Sequence, residues 1–101
     1  QEFNMTSYTV RVELHDAEGS DYDDLHEEMA KQGFSKTILL NGVEHDLPTA
    51  EYSLIENGTT ASAVLKKANT AAQKVQSEPK PSIIVTETEK PRMTSGLTKS
   101  K

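Results

Sequence analysis

Apolar and polar residues alternate strictly over residues 8–15. The apolar set is Tyr8, Val10, Val12 and Leu14, and the polar set is Thr9, Arg11, Glu13 and His15. A period of two residues is typical of a strand that buries one face and leaves the other to solvent. The pattern therefore predicts a first strand here, with the polar set pointing away from the core.

A helical pattern follows over residues 21–32. Ser20 or Asp21 can cap its first turn. The apolar residues that share one face of this helix are Tyr22, Leu25 and Met29. Gly33 supplies a left-handed stop, and Phe34 can make the apolar contact that often follows such a stop. We therefore predict a helix that ends just before Gly33.

A β-hairpin signal lies near the middle of the chain. Thr37–Leu40 is short, β-branched and apolar, and Asn41-Gly42 follows at once. This dipeptide favours a two-residue hairpin turn, because both turn positions adopt positive φ. The returning strand is interrupted at Pro48, which cannot donate to a ladder. Alternation resumes over 50–55, where the residues predicted to point inward are Tyr52 and Leu54.

A second helix and a last strand complete the pattern. Thr59 or Thr60, just after an Asn-Gly turn, can cap the helix. Its apolar positions form a narrow stripe of mostly small residues: Ala61, Val64, Leu65, Ala68, Ala71, Ala72 and Val75. Prolines 79 and 81 end this helix. Residues 83–86 are typical of a buried strand, which Pro91 terminates.

The element order β, α, β, β, α, β favours an α+β fold of the ferredoxin-like type. We predict a four-stranded antiparallel sheet with two helices on one face, in which the first and third strands lie at the centre. The other face is then open, and the residues predicted on it are Thr9, Arg11, Glu13, His15, Glu51 and Ser53. The predicted core is Tyr8, Val10, Val12, Leu14, Leu25, Met29, Phe34, Leu65, Ala68 and Val85.

Length and composition fit one small domain, since 34% of the 101 residues are hydrophobic. We interpret residues 1–4, with a Glu-Phe pair before Met5, as a cloning scar, 5–93 as a single domain and 94–101 as a flexible tail. The chain has no cysteine, which excludes disulfides and a cysteine nucleophile and fits a reducing cytoplasm. No apolar run approaches the ~18–20 residues of a membrane span, so none is expected.

Charge is distributed unevenly along the chain. The net charge is −5, yet residues 5–56 carry twelve acidic and three basic residues, whereas 57–101 carry eight basic and three acidic ones. The net charge argues against nucleic acid as a default partner, and no DNA is expected, while RNA stays open. The second helix is predicted to expose a basic stripe of Lys66, Lys67 and Lys74, and the first helix an acidic one. A homodimer could pair these stripes, or the two halves could attract each other within one molecule.

Candidate chemistry gathers at the exit of the first strand. His15 can move a proton near neutral pH, and Asp16 follows it. Arg11 and Glu13 lie on the same strand face, with successive side chains about 7 Å apart. RNA cleavage without a metal needs a base, an acid and a cation for the phosphate, so we predict Arg11, Glu13, His15 and Asp16 as catalytic residues. An ion-paired, solvated strand face would contain the same residue types.

No metal or cofactor site is predicted. The acidic run from Asp16 to Asp24 lacks the ligand spacing of a calcium-binding loop. His26 lies beside an apolar helical face, which is typical of a core-edge histidine with a hydrogen-bonded nitrogen. His45 lies between Glu44 and Asp46, as expected of a solvated turn.

Several short segments resemble a small bacterial and prophage family, long a domain of unknown function, that is grouped with the GhoS-like endoribonuclease antitoxins of type V toxin–antitoxin pairs. The resemblance spans 5–97 and rests on these residues: Val12-Glu13-Leu14-His15, Tyr22, Leu25-His26, Met29, Gly33-Phe34-Ser35, Leu47-Pro48, Ala50-Glu51-Tyr52, Val85-Thr86-Glu87 and Gly96-Leu97.

The resemblance implies a ferredoxin-like fold and a protein that cuts the messenger RNA of a membrane-damaging toxin. It carries no catalytic residue over to this chain. Two functions therefore stay open: an endoribonuclease-type antitoxin acting on toxin messenger RNA, and a non-catalytic binding module of prophage or mobile-element origin that uses the open sheet face.

Overall fold

The computed structural model describes residues 6–90 and 92–100. The elements in chain order are β1 (Ser7–Glu13), α1 (Gly19–Lys31), β2 (Thr37–Leu40), β3 (Val43–Asp46), β4 (Glu51–Ile55), α2 (Ala61–Val75) and β5 (Ser82–Thr88). Residues 1–4, interpreted as a cloning scar, lie outside the described residues. Every predicted helix and strand is present, with ends that differ by a few residues.

The main sheet has three strands in the order β4-β1-β5, and β1 is antiparallel to both neighbours. Arg11 lies opposite Glu51 on β4 and opposite Ile84 on β5. Both helices pack against the apolar face, where Tyr8 and Val10 join one cluster with Leu25 and Val64. The α+β class, the central first strand and the two helices on one face are confirmed. The prediction that the third strand is also central is wrong, because its counterpart β4 lies at an edge of the three-stranded sheet.

The prediction of a single four-stranded sheet is wrong, because β2 and β3 form a separate two-stranded sheet. In the described part of the chain, Ser35 and Ser53 form the one bridge from this region to β4, with two backbone hydrogen bonds of 2.8 Å. The backbone carbonyl of Lys36, one residue later, accepts instead from the N–H of Leu47. Since Pro48 cannot continue the ladder, the chain bends after β3 and starts β4 anew.

The core differs from the prediction mainly on α2. Leu65 is 43% exposed, so its assignment to the core is wrong, and Val85 is only partly buried. The buried residues of this helix are Val64, Ala68, Ala71 and Ala72. Leu65 is one position, or about 100°, from Val64, and this step takes it off the narrow stripe that faces the sheet. The other eight predicted core residues are buried.

Capping contacts define where the helices begin and end. The N-cap of α1 is Glu18 rather than the predicted Ser20 or Asp21, and the Asp21 carboxylate accepts from the Glu18 backbone N–H at 3.0 Å. Gly33, with φ of 94°, ends α1 in the left-handed region, and Phe34 donates its backbone N–H to the Met29 carbonyl. The hydroxyl of Thr60 caps α2, as predicted.

The C-terminal segment returns to the β2–β3 hairpin. Asp46 donates its backbone N–H to the Thr98 carbonyl at 2.8 Å, and Ser100 donates to the Glu44 carbonyl at 2.9 Å. The Ser100 hydroxyl also contacts the Asp46 carboxylate at 2.6 Å. The predicted flexible tail, 94–101, therefore has a defined path over 98–100, and its mobility stays a prediction. Among the described residues, no helix is both long and apolar enough for a membrane crossing.

Candidate functional site

The sheet face opposite the helices divides into two halves. The open half consists of Arg11, Glu13, Ser82 and Ile84, which line a shallow depression of about 230 Å³ together with Ile83. The covered half, around Thr9 and Ser53, lies beneath Arg92 and the hairpin. Ser53 is only 3% exposed, so the prediction that it lies on an open face is wrong at this position.

Arg11 and Glu13 occupy the open half as the strand alternation predicts. The Arg11 side chain is 53% exposed and forms an ion pair with Glu51, its cross-strand neighbour, at 3.4 Å. Glu13 is exposed and forms no ion pair with another described residue. Since an exposed ion pair is worth only about 0–1 kcal/mol, a phosphate can take Glu51's place beside Arg11 at little cost.

His15 follows the end of β1 and is fixed from two sides. Its ring Nε2 lies 2.9 Å from the Ser82 hydroxyl. Gln76, just after α2, holds its backbone: the Gln76 side-chain oxygen accepts from the His15 N–H at 2.9 Å, and its amide nitrogen donates to the His15 carbonyl at 2.7 Å. Because Ser82 lines the depression, the contact between the His15 ring and the Ser82 hydroxyl places the imidazole beside the depression.

The structure therefore brings three of the four predicted catalytic residues near one another. Arg11 and Glu13 line the depression. His15 contacts Ser82, which also lines it. Asp16 has a φ of 55° and is exposed, and no hydrogen bond or ion pair joins its side chain to another described residue. Ser82 and Gln76 were not predicted, because only the folded chain brings residues 76 and 82 to position 15.

Arg92 is the central residue of the covered half. Its Nη1 donates to the hydroxyl of Ser53 at 2.8 Å and to that of Thr9 at 3.2 Å. Burial lowers the pKa of its guanidinium. No pattern around residue 92 indicated this role, because it depends on how the chain turns back after β5.

Lys36 holds the bend between β3 and β4. Its ammonium group lies within hydrogen-bonding distance of the carbonyls of Leu47, Thr49 and Glu51, at 3.4, 3.1 and 2.9 Å, and also contacts that of Pro48. It lies 4.9 Å from the centre of the Tyr52 ring. Burial lowers the pKa of Lys36, and the carboxylates of Glu51 and Asp46 oppose that shift. The lysine thus replaces strand pairing where Pro48 prevents it.

His26 is a core-edge histidine with a hydrogen-bonded nitrogen, as predicted. Its Nδ1 lies 2.6 Å from the Tyr52 hydroxyl. Burial raises the pKa of Tyr52, so its hydroxyl stays protonated and donates a hydrogen bond to Nδ1 of the neutral imidazole. Burial, and then the nearby charge of Lys36, lower the pKa of His26, while Asp23 acts in the opposite direction.

This shift predicts that acid weakens the fold. Because the pKa of His26 is lower in the folded chain than in the unfolded one, its stabilising contribution is complete above the unfolded value of about 6.5 and is lost as the pH falls through the folded value. We expect the free energy of unfolding, from urea titrations at a series of pH values below 7, to fall less steeply in His26→Asn. His45→Asn is the matched control, and an unchanged slope in His26→Asn would contradict the prediction.

The uneven charge distribution is partly resolved within one molecule. Lys74 on α2 lies 3.9 Å from Glu28 on α1, and Lys67 lies 4.0 Å from Glu56. The basic second half of the chain thus approaches the acidic first half, which supports internal attraction. The homodimer that would pair the helix stripes stays a prediction.

In the part of the chain that the structure describes, no group of three or more His, Asp or Glu residues could hold a metal ion. Comparison of the chain with family models, with curated proteins and with solved structures gave no significant match. The resemblance to the GhoS-like family therefore stays a prediction from short sequence segments.

Proposed function

We propose that the protein is an endoribonuclease-type antitoxin that cuts toxin messenger RNA in the cytoplasm, at the open half of the sheet face. The observation that carries this proposal is the grouping of His15, Ser82 and Arg11 at one end of the sheet. It combines a proton-transfer group, a hydroxyl that orients it and an exposed cation beside a shallow depression. The GhoS-like resemblance supports the same function independently.

The ferredoxin-like assignment is part of this proposal. The sheet order β4-β1-β5 leaves one edge, beside β4, where the fourth strand of that fold would lie. The Ser35–Ser53 bridge occupies this edge, immediately before β2. We infer that the hairpin is the outer strand pair of a ferredoxin-like sheet, separated from it by the bend that Lys36 holds.

The chemistry assigned to the open half is transfer of the phosphoryl group within the RNA strand. A base removes the proton of a ribose 2′-hydroxyl, the 2′-oxygen attacks phosphorus, and the bond to the 5′-oxygen breaks as an acid protonates that oxygen. His15 carries one of these proton transfers, with its ring oriented by Ser82. Arg11 neutralises charge on the phosphate oxygens, and Glu13, between Arg11 and His15 on the same strand face, orients one of these two side chains.

The second candidate is a binding module that holds RNA or another ligand without cutting it. Ile84 favours this candidate, since it is 62% exposed next to Arg11 on the open half. An apolar side chain beside a cation can make van der Waals contact with a base or sugar while the cation contacts a phosphate, and neither contact needs proton transfer. Both candidates use the same half of the face.

The deciding experiment incubates the purified protein with end-labelled structured RNA, with and without a chelator. The proposal predicts cleavage in both samples, because its acting groups are side chains, and products that end in 2′,3′-cyclic phosphate. Arg11→Ala should slow cleavage, whereas Lys67→Ala, a cation on the helical side, should not. RNA that is retarded on a gel but stays intact would support the binding module, and RNA that is neither bound nor cut would contradict both.

A further inference from the structure

Arg92 is a half-buried cation that has no acidic partner among the residues that the structure describes. Its contacts with other described residues go to two neutral hydroxyls, those of Ser53 and Thr9. The ion pairs of the described residues involve other cations. Buried charges are costly to desolvate and are normally paired with an opposite charge. The guanidinium therefore has unmet capacity to bind an anion.

A cleft of about 290 Å³ lies next to this guanidinium, between the sheet and the hairpin. Thr9 and Thr86, which are cross-strand neighbours, line it from the sheet, and Thr94 lines it from the C-terminal segment. Three threonines and one arginine thus line the same space. Its apolar wall consists of Ile38, Leu47 and Met93, of which Ile38 is buried and Met93 is 92% exposed.

One carboxylate also lines this cleft, that of Glu51. Its charge is opposed by Arg11 at 3.4 Å, on the side of the open half. It forms no ion pair with Arg92, although both border the cleft. An anion beside Arg92 would therefore meet a carboxylate whose charge is already partly neutralised.

We propose that this cleft is a binding site for a phosphate group, with Arg92 as the cation and Thr9, Thr86 and Thr94 as hydroxyl donors. A phosphate has several acceptor oxygens in tetrahedral directions, so it can bind a guanidinium fork and hydroxyls from different strands together. A carboxylate has fewer acceptor directions. The apolar wall and the volume suit a small phosphorylated ligand of about mononucleotide size, since such pockets start at about 300 Å³.

The site lies on the covered half, and none of the side chains that line it belongs to the proposed catalytic group. The two sites are linked through Glu51, which lines the cleft and pairs with Arg11. Simple anions compete for such a site in solution, and the probes are chosen to distinguish them from a phosphorylated ligand. We would titrate the ¹⁵N-labelled protein with inorganic phosphate, adenosine 5′-monophosphate, adenosine and acetate, and follow the amide signals by NMR.

The expected result is saturable movement of the Thr9, Thr86 and Thr94 amide signals with phosphate, at dissociation constants on the order of 1 mM. Adenosine 5′-monophosphate should bind more tightly than phosphate, through the apolar wall, and adenosine should bind at least tenfold more weakly than its monophosphate. Equal binding of acetate would overturn the assignment to phosphate. The absence of saturable movement with phosphate and with the monophosphate would overturn the site.

Variants then test the residues. Arg92→Met, which keeps the length of the side chain, should weaken phosphate binding at least tenfold, and Lys67→Met, a cation on the helical side whose ion pair is with Glu56, is the matched control. Equal weakening in both variants would show general attraction to positive charge and overturn the proposal. If Arg92→Met does not fold, Thr86→Val decides: it should weaken phosphate binding several-fold, because it removes one hydroxyl from an exposed position, and unchanged binding would overturn the site.

Discussion

Replacing His15 by alanine should lower the rate of RNA cleavage by about 10²–10⁴-fold, the usual contribution of a positioned acid or base. The substitution removes the imidazole that lies 2.9 Å from the Ser82 hydroxyl. It leaves the backbone in place, because Gln76 binds the N–H and the carbonyl of residue 15, and alanine has both. The loss of rate can therefore be assigned to the ring rather than to a displaced strand end.

Cleavage rates should be compared in His15→Ala, His45→Ala and Ser82→Ala, with folding checked by circular dichroism. His45 is the matched control, since its ring contacts the Val43 carbonyl within the hairpin, away from the open half. Ser82→Ala keeps the imidazole and should lose a smaller part of the rate. A folded His15→Ala variant with full activity would refute the assignment of proton transfer to this residue.

Replacing Lys36 by methionine should lower the free energy of unfolding by about 2 kcal/mol, because a hydrogen bond from a charged group is worth about 1.5–3 kcal/mol. Methionine keeps much of the apolar stem but removes the ammonium group that binds the carbonyls of the bend. It also removes the contact with the Tyr52 ring. For a domain of this size, each 1 kcal/mol lowers Tm by roughly 4–8 °C.

Urea and thermal unfolding of the two lysine variants Lys36→Met and Lys31→Met would measure this effect. Lys31 is the matched control, since it is exposed and its one ion pair, with Glu28 at 3.1 Å, lies on the surface. Its loss should change stability by less than about 0.5 kcal/mol. Equal unfolding midpoints for the two variants would show that the bend does not depend on the Lys36 ammonium group.

Local patterns predicted the elements well where one physical requirement decides the structure. The alternation at 8–15 identifies β1, since one face must be buried. Asn41 and Gly42 both have positive φ in the structure, as the hairpin turn requires. Gly33 ends α1 for the same stereochemical reason. In each case the decisive interactions lie within a few residues of the signal.

The features that were missed depend on residues far apart in the chain. Pro48 indicated an interruption, but not that Lys36 would bind the carbonyls beyond it and separate β3 from β4. Arg92 contacts Thr9 across 83 positions, and no local pattern reports such a contact. Leu65 was misplaced because a leucine next to a narrow stripe fits the helical period almost as well as its neighbour Val64. For the predicted site, the sequence indicated the strand face but not the partners of His15.

The chain passes from one sheet to the other between Ser35 and Lys36. This passage divides the molecule into two parts that differ in their stability against local unfolding. The strands β4, β1 and β5 share one core with both helices, so their amide hydrogens should exchange with solvent only when the whole domain unfolds. The hairpin is tied to that body by the Ser35–Ser53 bridge, by Lys36 and by the covering C-terminal segment. The hairpin amides can exchange through opening of the hairpin alone. A ligand held between the hairpin and the main sheet would therefore slow amide exchange in the hairpin first.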